Sequence, residues 1–306
     1  MARKLGPSRH GVATKPWLAL VLAALVLVNW NDKTAAVQSR RDPVKSLRMY
    51  VFRLGNIPIS DSKALFSEQF DLARNGCCII VGHLIVHPKG TLIWDTGVLP
   101  DAEVLARQGN RARGTLTIEP PRRTLKEQLA EVGYQPDDIT YLAFSHLHFD
   151  HVANGNAFKD STWIVQEKER NAMFPGNPAA SLDTSYYRDL KNSKTIVLSN
   201  MTPADEYDVF GDGSVSIKPA PGHTPGQQVL IVRLPKTGAV MLAGDLYHFR
   251  EERAGQYVPR GETDREESRA SRRVIEDYIK QRGIALWIEH DTRLYETLKQ
   301  SPNFIE

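Results

Sequence analysis

The stretch Ser145-His146-Leu147-His148-Phe149-Asp150-His151 decides how the rest of the chain reads. Three histidines and one carboxylate fall within six residues, and no packing requirement asks for that. Imidazole and carboxylate are the donors that suit zinc and neighbouring transition ions. His146 and His148 stand two apart, so on an extended segment they point the same way. Asp150 and His151 follow where the chain turns, and can face a second point. The pattern His-x-His-x-Asp-His therefore reads as two half-sites, one for each of two close metal ions. A histidine-rich surface loop is the plain alternative, and four ligand-type residues at this spacing argue against it.

Three further candidates follow in chain order. His223 sits in the turn Pro221-Gly222-His223-Thr224-Pro225-Gly226, where rigid Pro and permissive Gly hold a side chain in place. Asp245 follows the apolar run Ala239 to Ala243, and a carboxylate just after a buried strand needs a partner. His290 follows the short apolar run Ala285 to Ile288. With the opening stretch these make seven ligands, enough for two sites with positions left for water and substrate.

These segments resemble the metallo-β-lactamase superfamily, and within it most of all the N-acyl-homoserine lactonase family. The likeness runs from about Arg48 to about Asp291. It also includes Leu92-Ile93-Trp94-Asp95-Thr96-Gly97, Val132-Gly133-Tyr134-Gln135-Pro136-Asp137-Asp138 and Glu289-His290-Asp291. The resemblance implies an α+β protein, an αββα sandwich of two mixed β-sheets flanked by helices, with residues 37–306 as one hydrolase domain. It implies two zinc ions per chain. His146, His148 and His223 would bind one, Asp150, His151 and His290 the other, and Asp245 would bridge them. Asp95 would orient a ligand or its loop. Paired metals ~3.5–4 Å apart can hold a hydroxide between them and polarise a carbonyl oxygen, which dispenses with a Ser or Cys nucleophile. Asp150 could also carry a proton to the leaving oxygen.

One position departs from the family. The lactonases place a tyrosine three residues after the bridging aspartate, where its hydroxyl meets the substrate carbonyl oxygen. Here that position is His248, and Tyr247 is one residue earlier. Tyr247 is the expected donor, because a neutral phenol donates without titrating near neutral pH. The implied substrate is a small lactone, foremost an N-acyl-homoserine lactone. Another ester or a phosphotriester on the same scaffold is the alternative. β-Lactamases lack the bridging Asp, ribonuclease-type members carry Gly where Phe149 stands, and diiron redox members carry Glu at the place of His148. A mono-iron thiol dioxygenase is the remaining redox reading.

The 306 residues permit one large domain or two small ones, and the composition is that of an ordinary soluble enzyme. The formal charge of +3 comes from the first 36 residues, which hold five basic side chains against Asp32; the remainder is close to neutral and suggests no nucleic-acid partner. Residues 1–36 read as an export signal: a basic start, the apolar run Trp17 to Val28, then Thr34-Ala35-Ala36 as a cleavage site. The alternative is an uncleaved membrane anchor, and either places the catalytic part outside the cytoplasm, periplasmic or secreted. A homodimer is allowed for. Cys77 and Cys78, the two cysteines, are adjacent, a strained geometry for a disulfide, and are assigned no chemistry.

Alternation and turn residues predict strands at 46–54, 78–86, 91–94, 139–144, 163–165, 195–198, 215–218, 229–234, 239–243 and 285–288. A helix starts at Thr124 with Glu127 in a capping box, and another follows Glu167. A third runs from Thr263 to Gln281, with Val274, Tyr278 and Ile279 on its apolar side and Gly283 closing it. Phe66, Phe70 and Leu72 are candidate pocket contacts, and residues 174–192 a candidate substrate loop. His83 and His87 are read as structural.

Overall fold

Strand β2 (Ile79–His87) is buried along its whole length, yet its side chains serve two different cores. Ile79, Val81 and Ile85 face one apolar cluster. Ile80, Leu84 and Val86 face another. This two-residue alternation on a strand covered on both sides is the signature of a layered sandwich. The computed structural model describes residues 44–59, 78–106, 109–113, 116–175 and 184–306. Residues 1–36, Phe66, Phe70, Leu72, Cys77 and part of the 174–192 segment lie outside the described residues.

The strands are β1 (Arg48–Asn56), β2, β3 (Gly90–Trp94), β4 (Arg111–Arg113), β5 (Leu116–Ile118), β6 (Tyr141–Ala143) and β7 (Thr162–Gln166). Then come β8 (Thr195–Leu198), β9 (Tyr207–Asp208), β10 (Val215–Pro219), β11 (Gln228–Leu234), β12 (Gly238–Leu242), β13 (Ala285–Trp287) and β14 (Phe304–Ile305). The helices are α1 (Asp101–Leu105), α2 (Leu125–Glu131), α3 (Phe149–Val152), α4 (Glu167–Met173), α5 (Arg250–Gly255), α6 (Arg265–Arg282) and α7 (Thr292–Tyr295).

Among the described residues one sheet has the order β14-β1-β2-β3-β6-β7-β8 and the other β13-β12-β11-β10-β9. Both are mixed: β3, β6, β7 and β8 run parallel, as do β12 and β13, while the other pairings within these two sheets are antiparallel. Between the sheets lies a core of Met49, Val51, Trp94, Ile164, Ile217, Leu230 and Leu242. Each such fully buried aliphatic side chain stabilises by roughly 1.5–3 kcal/mol. Val229, Ile231 and Met241 on the outer face of the second sheet pack against Ile275 and Ile279 of α6.

Two expectations change. On α6 the buried positions are Ser268, Ser271, Arg272, Ile275 and Ile279, and Val274 is exposed. The inner stripe follows a three- and four-residue spacing that passes beside Val274, and it carries polar residues, so apolar periodicity alone misplaced it. Residues 98–121, for which the sequence predicts neither strand nor helix, contain α1 and the β4–β5 hairpin. The α2 capping box forms as expected, Thr124 Oγ1 accepting from Glu127 N at 3.0 Å and Glu127 Oε2 from Thr124 N at 2.8 Å.

Strand direction gathers the site. β10, β12 and β13 point the same way, so the residues after their C-terminal ends share one rim of their sheet. Those residues are His223, Asp245 and His290. β3 and β6 do the same for Asp95 and the stretch 146–151 in the first sheet. Gln228 joins the rims: its N–H donates to Ser145 O at 2.9 Å and its amide to Phe144 O at 2.8 Å.

Candidate metal centre

Seven side chains meet at these rims. His146, His148, His223 and Asp245 place one donor atom each within 4.8 Å of one another, and Asp150, His151 and His290 do the same beside them. Asp245 connects the groups. Its Oδ2 lies 3.3 Å from His223 Nε2 and 3.6 Å from His146 Nε2. Its Oδ1 lies 3.0 Å from His290 Nε2 and 3.4 Å from His151 Nε2. Asp150 Oδ2 stands 3.7 Å from His290 Nε2 and 3.8 Å from His151 Nε2. The residues of the 146–151 stretch and the three distant ones thus lie in two groups, the division that the resemblance implies.

The donor set fits metal ions better than protons. His148 Nδ1 faces both His146 Nε2 and His223 Nε2 at 2.9 Å, and a single proton cannot serve three converging lone pairs. His151 Nε2 and Asp245 Oδ1 are buried with no hydrogen-bond partner. Burial pushes the His148 imidazole down to about 3 and His146 well below the usual histidine value, so both are neutral at pH 7, the form that donates to a metal. Burial opposes charge on Asp245 too, yet His290, His248, His151 and His146 hold its carboxyl well below the usual range.

The supporting geometry is built into tight backbone. Asp95 sits at φ 55°, a strained conformation outside glycine. Its Oδ1 accepts from Ser145 N at 2.7 Å and its Oδ2 faces His151 Nδ1 at 3.1 Å, which ties it to the 146–151 stretch. His290 Nδ1 donates to Ile79 O at 3.0 Å, which leaves Nε2 for the cluster. Gly222 has φ 133°, and a Cβ there would lie 2.3 Å from Ser268 N, so the His223 turn can press on α6 only with glycine. Gly244 has φ 50°, and a Cβ there would meet Ser145 Cβ at 2.5 Å.

Tyr247 and His248 are placed opposite to expectation. Tyr247 is extended at φ −143°, ψ 139°, so neighbouring side chains diverge. His248 enters the cluster, with Nε2 3.3 Å from Asp245 Oδ2. Tyr247 turns away and packs with Ile275 and Ile279. The sequence reading preferred Tyr247 on its chemistry and overlooked strand alternation. It also missed Glu169, Glu252, Glu262 and Glu289, buried carboxylates beside the ligands. The nearest available signals were Glu252 four residues after His248 and Glu289 next to His290.

The cluster opens into a cavity of about 270 Å³ whose wall includes Ile57, Ile59, Leu116, Phe149, Pro259 and Cys78 beside His148, His223, His248 and His290. A larger, open cleft of about 960 Å³ lies by Tyr247, away from the ligands. Four of the arginines that line it are already matched: Arg250 pairs with Asp291, Arg253 with Glu276, Arg269 with Glu266 and Arg272 with Glu252. The smaller cavity is the candidate site.

The profile of the metallo-beta-lactamase superfamily matches residues 75–278, and the chain belongs to this superfamily. Its relatives include the N-acyl homoserine lactonase AttM of Rhizobium radiobacter, 30% identical over 72% of this chain and 85% of the relative. The N-acyl homoserine lactonase of Bacillus cereus is 27% identical over 73% of this chain and 85% of its own length. An N-acyl homoserine lactone hydrolase solved with the product N-hexanoyl-L-homoserine at its catalytic metal centre superposes at TM-score 0.69, with 23% identity over 86% of this chain and 100% of that one. AidC, a dizinc quorum-quenching lactonase, superposes at 0.59 with 17% identity, covering 86% of this chain and 95% of its own.

Proposed function

We propose that this enzyme opens the ring of N-acyl-homoserine lactones, or of closely related lactones, with two zinc ions. The observation that carries the reading is Asp245, whose two oxygens face two separate sets of ligands. His146, His148 and His223 would hold one ion, Asp150, His151 and His290 the other, and Asp245 both. When bound, such a pair lowers the pKa of water to ~7 and polarises a carbonyl oxygen.

The side chains supply the rest. His248 Nε2 faces the cavity beside Asp245, where it can donate to the carbonyl oxygen as negative charge builds. Asp150 borders the same cavity and can take the proton of the attacking water and return it to the ring oxygen as the C–O bond breaks. Ile57, Ile59, Leu116 and Phe149 form an apolar wall suited to an acyl chain. The product is the hydroxy acid, which releases a proton on ionising.

The test is proton release from N-hexanoyl-homoserine lactone by zinc-replete protein, alongside a β-lactam, an aryl ester and a phosphotriester. Lactone turnover well above the others supports the reading. A preference for the phosphotriester or the aryl ester overturns it. Elemental analysis showing one iron per chain with thiol oxidation would replace it by the dioxygenase reading.

A further inference from the structure

Beside the two ligand sets, His248, Glu252 and Glu262 bring three more donor atoms within 4.8 Å of one another, the arrangement of a further cation site. The protein supplies that cation itself. Arg272, buried on α6, donates to Glu252 Oε1 at 2.5 Å, stands 3.8 Å from Glu262 Oε1 and donates to Tyr257 O. Glu252 Oε2 accepts from the His248 backbone N–H at 2.8 Å and faces His248 Nδ1 at 3.1 Å. Glu262 accepts from Ser268 Oγ at 2.5 Å and lies 3.5 Å from His223 Nδ1. The Tyr247 ring lies under the guanidinium, 4.5 Å from Arg272 Cζ. A planar guanidinium that never deprotonates can join two carboxylates and an aromatic face in one fixed geometry, which an ammonium cannot.

We propose that Arg272 is a positioning residue. Through Glu252 it fixes the rotation of the His248 ring, so that Nδ1–H is spent on the carboxylate and Nε2 is presented to the substrate. Through Glu262 it braces His223, and Tyr247 is the platform that seats it. The inference rests on the reading of His248 as the group that meets the substrate oxygen.

The experiment compares zinc-loaded parent, Arg272→Lys, Glu252→Gln, His248→Ala and the Arg272→Lys/His248→Ala double variant. Zinc content and thermal unfolding are measured in parallel. With N-hexanoyl-homoserine lactone, kcat per zinc-loaded chain falls about 10–100-fold in Arg272→Lys, the range for loss of a residue that orients a metal-site histidine. In the His248→Ala background the same change has little further effect. A readout independent of substrate is the ¹⁵N-coupled Nδ1–H resonance of His248. It is protected from solvent exchange in the parent and exchanges in Arg272→Lys. Should Arg272→Lys not fold, Glu252→Gln carries the same expectations. Parental kcat with an unchanged resonance overturns the proposal, and so does an equal loss with and without His248. If the parent opens no lactone but the resonance behaves as described, the positioning stands and the substrate reading falls.

Discussion

At the residue scale, His248 reaches the cavity because Tyr247 is extended, and the two side chains leave the backbone on opposite faces. His248→Ala should lower kcat on a lactone by ~10²–10³, the usual cost of losing one donor to a developing oxyanion. Tyr247→Phe should change it little, since the ring that underlies Arg272 is kept. Steady-state kinetics on both variants, with metal content alongside, decide between them; a collapse in Tyr247→Phe with His248→Ala unaffected would restore the donor first expected. Among the described residues Asp245 is the one candidate ligand that faces both sets, and Asp245→Ala removes it. Zinc per chain should drop and turnover should become undetectable, which elemental analysis and the proton-release assay check together.

At the scale of elements, α4 ties the loops that carry ligands. Glu169 accepts from Leu147 N at 2.7 Å, Thr224 Oγ1 at 2.9 Å and Gly226 N at 2.7 Å. Gly226 is required by this approach, because a Cβ there would lie 2.4 Å from Glu169 N. Burial pushes the Glu169 carboxyl from its ordinary 4.5 up to about 7, against the pull of those donors. The folded protein therefore holds this proton more tightly than the unfolded chain. That contribution to stability is full below 4.5 and is lost as pH rises to about 7. It is on the order of 3 kcal/mol, from 1.36 kcal/mol per pKa unit. Glu169→Gln should flatten the fall in unfolding free energy between those pH values, measured by denaturant titration at matched metal content. An unchanged slope would mean that Glu169 stays ionised throughout.

For the whole molecule, the ligands divide between the sheets: His146, His148, Asp150 and His151 follow β6, while His223, Asp245 and His290 follow β10, β12 and β13. Bound metal would clamp one sheet to the other as well as serve catalysis. Stripping the ions with a chelator should lower the unfolding free energy by about 4 kcal/mol if zinc stands a thousandfold above its dissociation constant. Calorimetry with and without chelator, and recovery on adding zinc, test this; an unaltered melting temperature would deny the clamp. The basic start and apolar run of residues 1–36 predict an exported chain, with protein from its natural source beginning near Val37 by mass spectrometry. An intact N-terminus in the membrane fraction would make the segment an anchor.

Read along the chain, the seven candidate ligands stand out, because metal chemistry demands particular side chains and the dense spacing of 146–151 has little packing purpose. Ten of the strands were legible for a similar reason: buried strands such as β2 and β11 are runs of apolar residues, whereas β4, β5, β9 and β14, of two or three residues each, carry no such run. The resemblance supplied the sandwich and the division of the seven ligands into two sets. Which neighbour, Tyr247 or His248, faces the cavity was hidden until the chain was folded, since it turns on the phase of an extended backbone and not on either residue's chemistry. Only the structure brought Arg272 to Glu252, twenty positions earlier, and Glu169 to Gly226 across the gap between sheets. Arg272 and Glu252 are charges buried as a pair, and Glu169 is a carboxyl buried among backbone and hydroxyl donors. Along the chain each looks like an ordinary solvent-exposed residue, because the partner that makes burial tolerable is supplied by the fold.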